Sequence, residues 1–184
     1  MELQTERLIL RPWQESDAEA LYKYAQNPNI GPIAGWPPHT SVEDSLGIIK
    51  SILSAPESYA VVLKETGEAV GSIGIMTSSS EIHSANMVDT ECEIGFWIGE
   101  PFWGQGLIPE AVNELLRYTF DDLKQTAVWC GYFDGNEKSR RAQEKCGFTY
   151  SHTEHDKAVP LLNEFHTEHF TKLTLEDWRK LQGK

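Results

Sequence analysis

Apolar and polar residues alternate along RLILRPW, Arg7 to Trp13, which predicts a strand with one face turned inward. In ESDAEALYKYA, Ser16 and Glu19 have capping-box spacing and Ala20, Leu21 and Tyr24 form a helical stripe, so a helix is expected up to Asn27-Pro28. The proline- and glycine-rich segment NIGPIAGWPPHTS, Asn29 to Ser41, reads as a loop or flap, followed by a helix capped by Ser41 and running to about Leu53. Ser58 to Met76 holds two β-rich runs around Thr66-Gly67, a hairpin signal. A polar stretch, Thr77 to Thr90, separates it from a strand over Glu91 to Gly99. Ile108, Val112, Leu115 and Leu116 then mark one side of a helix, Thr126 to Phe133 reads as a strand, and Asn136 to Phe148 as a short helix stopped by Gly147. Two more strands, Thr149 to His155 and Asn163 to Leu173, precede a terminal helix capped by Thr174. No repeat or linker interrupts this order, so a single mixed α/β unit spanning residues 1–184 is expected.

The stretch FWGQGLIPEAVNELL, Phe102 to Leu116, places two glycines one residue apart in front of a helix. Strand, glycine-rich turn and helix together offer unpaired backbone N–H groups and a partial positive charge to an anion. Gly104 and Gly106 carry no side chain that would hold a phosphate away, and Pro109 suits the first helical turn, where a missing N–H costs little. No GK[ST] follows and the full GxGxxG is absent, so neither a Walker loop nor a dinucleotide fingerprint is present. The pattern suits a phosphate or pyrophosphate cradle, with a plain tight turn as the alternative.

At 184 residues the chain is long enough for one sizeable core. A net charge of -12 argues against nucleic-acid binding, which depends on clustered Lys and Arg, and suits a cationic or amine-bearing partner. Cys92, Cys130 and Cys146 are odd in number and contain no CxxC pair, so neither a disulfide framework nor a zinc knuckle is expected. MELQTERLIL lacks the features of a secretion signal and no run of about 20 apolar residues occurs, so a soluble cytosolic protein is expected, with no membrane partner.

The order EIGFWIGEPFWGQGLIPEAV, strand, NEKSRRAQEKCGF resembles the GNAT superfamily of N-acetyltransferases. TERLILRPW, DAEAL and AGWPPHTSVEDS are similar to the opening and the acceptor-side loop of its branch that acetylates ribosomal-protein N-termini, and the likeness runs from Leu8 to about Leu175. The resemblance implies an α/β (α+β) fold whose mixed central sheet, flanked by helices, splays between its fourth and fifth strands, Glu91 to Ile98 and Thr126 to Phe133. It also implies acetyl-coenzyme A as co-substrate, bound in that splay without a metal, and dimerisation is common in the branch. The superfamily's pyrophosphate motif falls on Trp103, Gly104, Gln105, Gly106, Leu107 and Ile108. Trp103 stands where Gln or Arg is usual and Ile108 where Gly or Ala is usual, at a place where the helix must approach the ligand.

Amide transfer from a thioester needs a neutral amine, a polarised carbonyl and a proton for the departing thiolate. By resemblance, backbone N–H groups around Trp97 and Ile98, with Phe96 beside them, would hold the thioester. Asn136 would bind the pantetheine arm and Ser139 would protonate the sulfur; the competing reading makes Asn136 a helix cap and Ser139 a surface residue. Glu93 is the candidate base and acceptor ligand, against a plain strand-edge charge. Trp36 and His39 would shape the acceptor pocket, or simply pack their loop. Lys138, Arg141, Glu144 and Lys145 read as solvated charges, Glu110 as a carboxylate suited to the helix dipole, and Cys130 and Cys146 as core fillers. His166 and His169, three residues apart on a strand, should face opposite sides and not share a metal. Three functions remain open: acetyl transfer to a primary amine on a protein N-terminus or a small molecule, a non-catalytic acyl-coenzyme A binding module, and a different nucleotide-binding α/β protein.

Overall fold

In the computed structural model, which describes residues 1–78 and 86–183, the chain's first alternating run forms β2, Leu8–Pro12, and pairs with a two-residue strand β1, Leu3–Gln4. A 3-10 turn, Glu15–Asp17, leads into α1, Ala18–Ala25. The carboxylate at this start is Asp17, which accepts from Gln14 N at 2.9 Å and pairs with Arg11 at 2.7 Å, in place of the expected Ser16/Glu19 box. The Pro/Gly segment contains one helical turn, α2, Gly31–Ala34. Ser41 caps α3, Val42–Ile48, by accepting from Asp44 N, and a π-helical turn carries it on to Leu53. β3, Ser58–Leu63, and β4, Ala69–Thr77, form the expected hairpin, with Gly67 at positive φ in its turn. The polar stretch after β4 lies partly outside the described residues.

β5, Glu91–Ile98, is followed by a 3-10 turn, Glu100–Phe102, and by α4, Leu107–Asp121. β6, Ala127–Phe133, leads to α5, Glu137–Lys145. β7, Thr149–Val159, and β8, Glu164–Thr174, make a long hairpin, four residues further at β7's end than the pattern predicts, and α6, Leu175–Leu181, closes the described chain. Among the described residues no helix is long and apolar enough to cross a membrane.

The eight strands form one sheet in the order β1-β2-β3-β4-β5-β6-β8-β7. Neighbours are antiparallel except β5 and β6, which are parallel as a strand–helix–strand crossover requires. Leu8, Leu10, Val61, Ile73 and Ile94 meet Leu107, Ile108, Val112, Leu115 and Leu116 of α4 on one face. Ala18, Leu21, Ala25 and Ile49 cover Ala60, Val62 and Ala69 on the other. Each fully buried leucine of α4 stabilises this contact by roughly 1.5–3 kcal/mol, so the helix and the turn before it are fixed to the sheet.

One junction in the sheet is incomplete. β5 pairs with β4 along Cys92 to Ile98, and β6 with β8 along its whole length, but β5 and β6 pair only from Glu91/Ala127 to Glu93/Trp129. Beyond that point the two parallel strands part, at the place the sequence resemblance indicates. The strands that open are the fifth and sixth here because β1 precedes the expected first strand.

Candidate functional site

The glycine turn stands at the mouth of this opening. Gly104 and Gly106 have φ of 75° and 76°, a left-handed backbone that a side chain makes costly. A Cβ on Gly104 would meet nothing within 4 Å, so the space above the turn is open. No backbone N–H from Gly104 to Ile108 has a hydrogen-bond acceptor among the described residues, leaving five consecutive donors at the start of α4. Arg7 braces the turn from below: its guanidinium donates to Gln105 O at 3.0 Å and to Glu110 Oε2 at 2.7 Å. Glu110 also accepts from Arg7 N at 2.8 Å and from the Thr5 hydroxyl. Burial alone would raise the Glu110 pKa, but the bonds from Thr5 and Arg7 together outweigh it and hold the carboxyl below its ordinary value. Ile108 is only 7% exposed and packs into the core with Leu107, so its side chain turns away from the cradle and leaves its N–H to it. Trp103 donates from Nε1 to Ile98 O at 3.0 Å, and Lys138 Nζ lies 3.4 Å from its ring centroid. A cleft of 490 Å³ opens here, lined by Pro32, Ile33, Glu100, Trp103 and Lys138.

Backbone groups also line the opening itself. Gly99 N donates to Val70 O on β4, so by strand alternation the Trp97 amide faces β4 as well, while the amides of Phe96 and Ile98 face the gap. On the opposite edge, Asp134 N donates to Thr167 O on β8, and the same alternation points the Gly131 carbonyl into the gap. Gln143 Nε2 caps that carbonyl at 3.0 Å.

Asn136 and Ser139 flank the gap from α5. Asn136 Oδ1 accepts from Ser139 N at 3.2 Å, so Asn136 is the helix cap, and its amide nitrogen has no partner among the described residues. Ser139 is half-buried and its Oγ accepts from Gln143 Nε2 at 3.0 Å. Arg141 is exposed, and Glu144 is engaged by Arg140 on the polar face.

The other side of the sheet carries the acceptor-side candidates. Glu93 is 6% exposed, two residues along the same strand face from Glu91, which is itself occupied by Trp129 Nε1 at 2.6 Å and Lys172 at 2.6 Å. Trp36 packs edge-on against Trp97, with centroids 5.5 Å apart, and against His39 at 5.2 Å. A Cβ on Gly35 would come within 3.5 Å of Val159 and 3.6 Å of Phe133, so the α2 segment passes over the opening between Trp97 on β5 and Phe133 on β6. His39 Nδ1 is 2.8 Å from Ser45 Oγ, and burial holds its pKa below the ordinary value, so it is neutral near pH 7.

Glu168 belongs to the same side and was not singled out by the sequence patterns. A Cβ on Gly131 would collide with its Oε1, and its Oε2 pairs with Lys157 at 2.9 Å. The signal that marks it is Gly131 itself, an isolated glycine in the apolar run TAVWCGYF, since such a glycine indicates close approach of another group. Glu93 pairs in register with Trp129 and Glu168 lies against Gly131, so both carboxylates stand along the same part of β6.

The family model described as the Acetyltransferase (GNAT) domain matches residues 7–149, a span that contains the cradle, both edges of the gap and α5. The chain belongs to the GNAT acetyltransferase family. Among its relatives is the uncharacterized N-acetyltransferase p20 of Bacillus licheniformis, 32% identical over 134 residues, which are 68% of this chain and 70% of that one. A GNAT-family acetyltransferase from Bacillus anthracis has the same fold, with a TM-score of 0.81 at 23% identity over 96% of this chain and 99% of that one. The ribosomal-protein-S5-alanine acetyltransferase from Vibrio fischeri shares it too, with a TM-score of 0.71 at 18% identity over 97% and 98%.

In this GNAT chain the remaining candidates have structural partners. His166 stacks on Phe133 with centroids 4.7 Å apart and pairs with Glu164, whereas His169 pairs with Asp134 and lies against Tyr132. Among the described residues no group of three or more potential ligands could hold a metal. All three cysteines are buried; burial pushes Cys92 and Cys146 up to about 12 and Cys130 well above its ordinary value, so none is a thiolate nucleophile near neutral pH.

Proposed function

We propose that this GNAT acetyltransferase moves the acetyl group of acetyl-coenzyme A directly to a primary amine, without a metal. The observation that carries the proposal is the run of five N–H groups from Gly104 to Ile108 that find no acceptor among the described residues, set at the mouth of an opening where the two strands no longer pair with each other. A diphosphate fits such a row of amides at a helix start, and an extended, amide-bearing arm suits an unpaired strand edge. Phe96 and Ile98 supply the N–H groups for that arm and the thioester, Trp97 contributes its indole, and Trp103, Gln105 and Leu107 shape the cradle. Asn136, already engaged through its oxygen, has its amide nitrogen left for the pantetheine.

The chemistry divides between the two faces of the sheet. Ser139 acts from the α5 side as proton donor to the departing sulfur. Glu93 acts from the other side, with Glu168 as a second carboxylate, by holding the acceptor's ammonium and taking its proton. Trp36 and His39 form the wall past which the acceptor reaches the carbonyl. For the acceptor itself, the likeness to the Vibrio fischeri ribosomal-protein enzyme supports a protein N-terminus. The roof of Trp36 on Trp97 and Gly35 by Phe133 supports a compact small-molecule amine instead.

The test is a thermal-shift titration with acetyl-coenzyme A, ATP and a dinucleotide, followed by mass spectrometry of products from a mixture of peptides and small amines. Acetyl-coenzyme A alone is expected to raise the melting temperature, by an amount that grows with ligand concentration, and an amine is expected to gain one acetyl group. Stabilisation by coenzyme A with no acetylated product would leave only a binding module. A shift with ATP and none with coenzyme A would remove the proposal altogether.

A further inference from the structure

The opening between β5 and β6 leaves the Gly131 carbonyl without a strand partner, and the group that meets it is an unusual one. Gln143 is 1% exposed, on a helix whose other surface residues are mostly charged. Its Nε2 donates to Gly131 O and to Ser139 Oγ, each at 3.0 Å, and its Oε1 accepts from the Thr171 hydroxyl at 2.7 Å. The orientation of the amide is fixed chemically, because a carbonyl oxygen can only accept and so requires the nitrogen to face Gly131. Ser139 Oγ is therefore an acceptor toward Gln143. Its own hydrogen must point elsewhere, and no described residue receives it.

From this geometry we infer that Gln143 is a positioning residue for Ser139, aiming the serine O–H into the gap toward the departing sulfur. The inference rests on the proposed role of Ser139 as proton donor. Two further effects follow from the same bonds. An N–H donated to a hydroxyl oxygen polarises it and makes its hydrogen a better donor, and the Thr171 hydroxyl stops the amide from rotating away. In the transfer the amine nitrogen bonds to the thioester carbon, the carbon–sulfur bond breaks, and its electron pair stays on sulfur. Sulfur takes the proton from Ser139 Oγ, which regains one through solvent as the nitrogen sheds its own. Gln143 touches neither reactant.

A purely structural Gln143, present only to satisfy the Gly131 carbonyl, makes a different forecast, and a double-mutant cycle separates the two. Gln143→Met, Ser139→Ala and the double variant are to be assayed for acetyl transfer with acetyl-coenzyme A, with the coenzyme A thermal shift as a check on fold. Gln143→Met is expected to lower kcat about tenfold, to leave KM for acetyl-coenzyme A within about twofold, and to cost nothing more once Ser139 is Ala. An unchanged kcat, or an equal loss in the Ser139→Ala background, would overturn the inference. Should Gln143→Met not fold, Thr171→Val leaves both amide donors in place and removes the brace on Gln143 Oε1 together with the Thr171 contact to Cys130 O at 3.2 Å. It is expected to lower kcat severalfold in the wild-type background and not in Ser139→Ala; the same loss in both would again overturn it. Absence of acetyl transfer by the wild type would remove the parent proposal, whereas turnover indifferent to residue 143 would remove only this one.

Discussion

Gly104 and Gly106 share a positive φ but stand in different surroundings, and that difference lets conformational cost be separated from ligand contact. A Cβ on Gly106 would find only an Arg7 terminal nitrogen, at the ordinary distance of 3.7 Å, and one on Gly104 would find nothing. Either alanine therefore costs about 1–2 kcal/mol through its backbone alone, or a drop of roughly 2–8 °C in melting temperature for a chain of this size. At Gly104 the added methyl also enters the space assigned to the diphosphate. Gly104→Ala is expected to raise KM for acetyl-coenzyme A about tenfold with kcat nearly unchanged, because such contacts hold ground state and transition state alike. Steady-state kinetics beside a melting curve would check this, and an unaltered KM would place the diphosphate elsewhere. The same scale shows what a sequence conceals. Glycine at 104 and 106 is visible as a residue type that buries nothing, but Gln143 sits within NEKSRRAQEK, where most residues are charged and nothing in the letters marks it as buried.

Elements were legible where local chemistry decides them. The β3–β4 hairpin follows from Thr66-Gly67, α3 from its serine cap and α4 from its apolar stripe, all of which act within a few residues. α2 was not legible, because proline and glycine mark a loop while a single turn can still form between them, held by Trp36 N on Gly31 O at 3.0 Å. The brace under the cradle was not legible either, since Thr5, Arg7 and Glu110 meet across more than 100 residues. Glu110 has a pKa below the ordinary value in the folded chain, so its charge contributes stability that is fully present above the unfolded value near 4.5 and is lost as pH falls through the folded one. Glu110→Gln is therefore expected to lower unfolding free energy by about 1–3 kcal/mol at pH 7, a difference that shrinks as pH falls below the ordinary carboxylate range. Urea unfolding of both proteins across pH 3 to 7 measures it. A gap that stays constant with pH would show that the side chain's shape matters and its charge does not.

At the scale of the molecule the net charge of -12 bears on the two proposed substrates with opposite sign. Acetyl-coenzyme A is an anion and must approach a negative protein; an ammonium-bearing acceptor is drawn to it. Near the cradle Arg7 and Lys138 oppose the general field; Arg7 is tied to Glu110, whereas Lys138, held over Trp103, has no carboxylate partner among the described residues. One such charge cannot reverse a field of this size beyond a few ångströms. Salt shortens the reach of all of these interactions, from about 30 Å at 0.01 M to about 10 Å at 0.1 M and 3 Å at 1 M, so distant repulsion and attraction are screened first while contacts inside the gap persist. Raising the salt concentration is thus expected to lower KM for acetyl-coenzyme A and to raise KM for the amine, each severalfold, with kcat held by groups too close to be screened. Initial rates with one substrate saturating and the other varied, at several salt concentrations, separate the two trends. If both KM values rise together, the cradle's local cations govern approach and the acidic surface serves another purpose; if neither moves, the acceptor is not a cation.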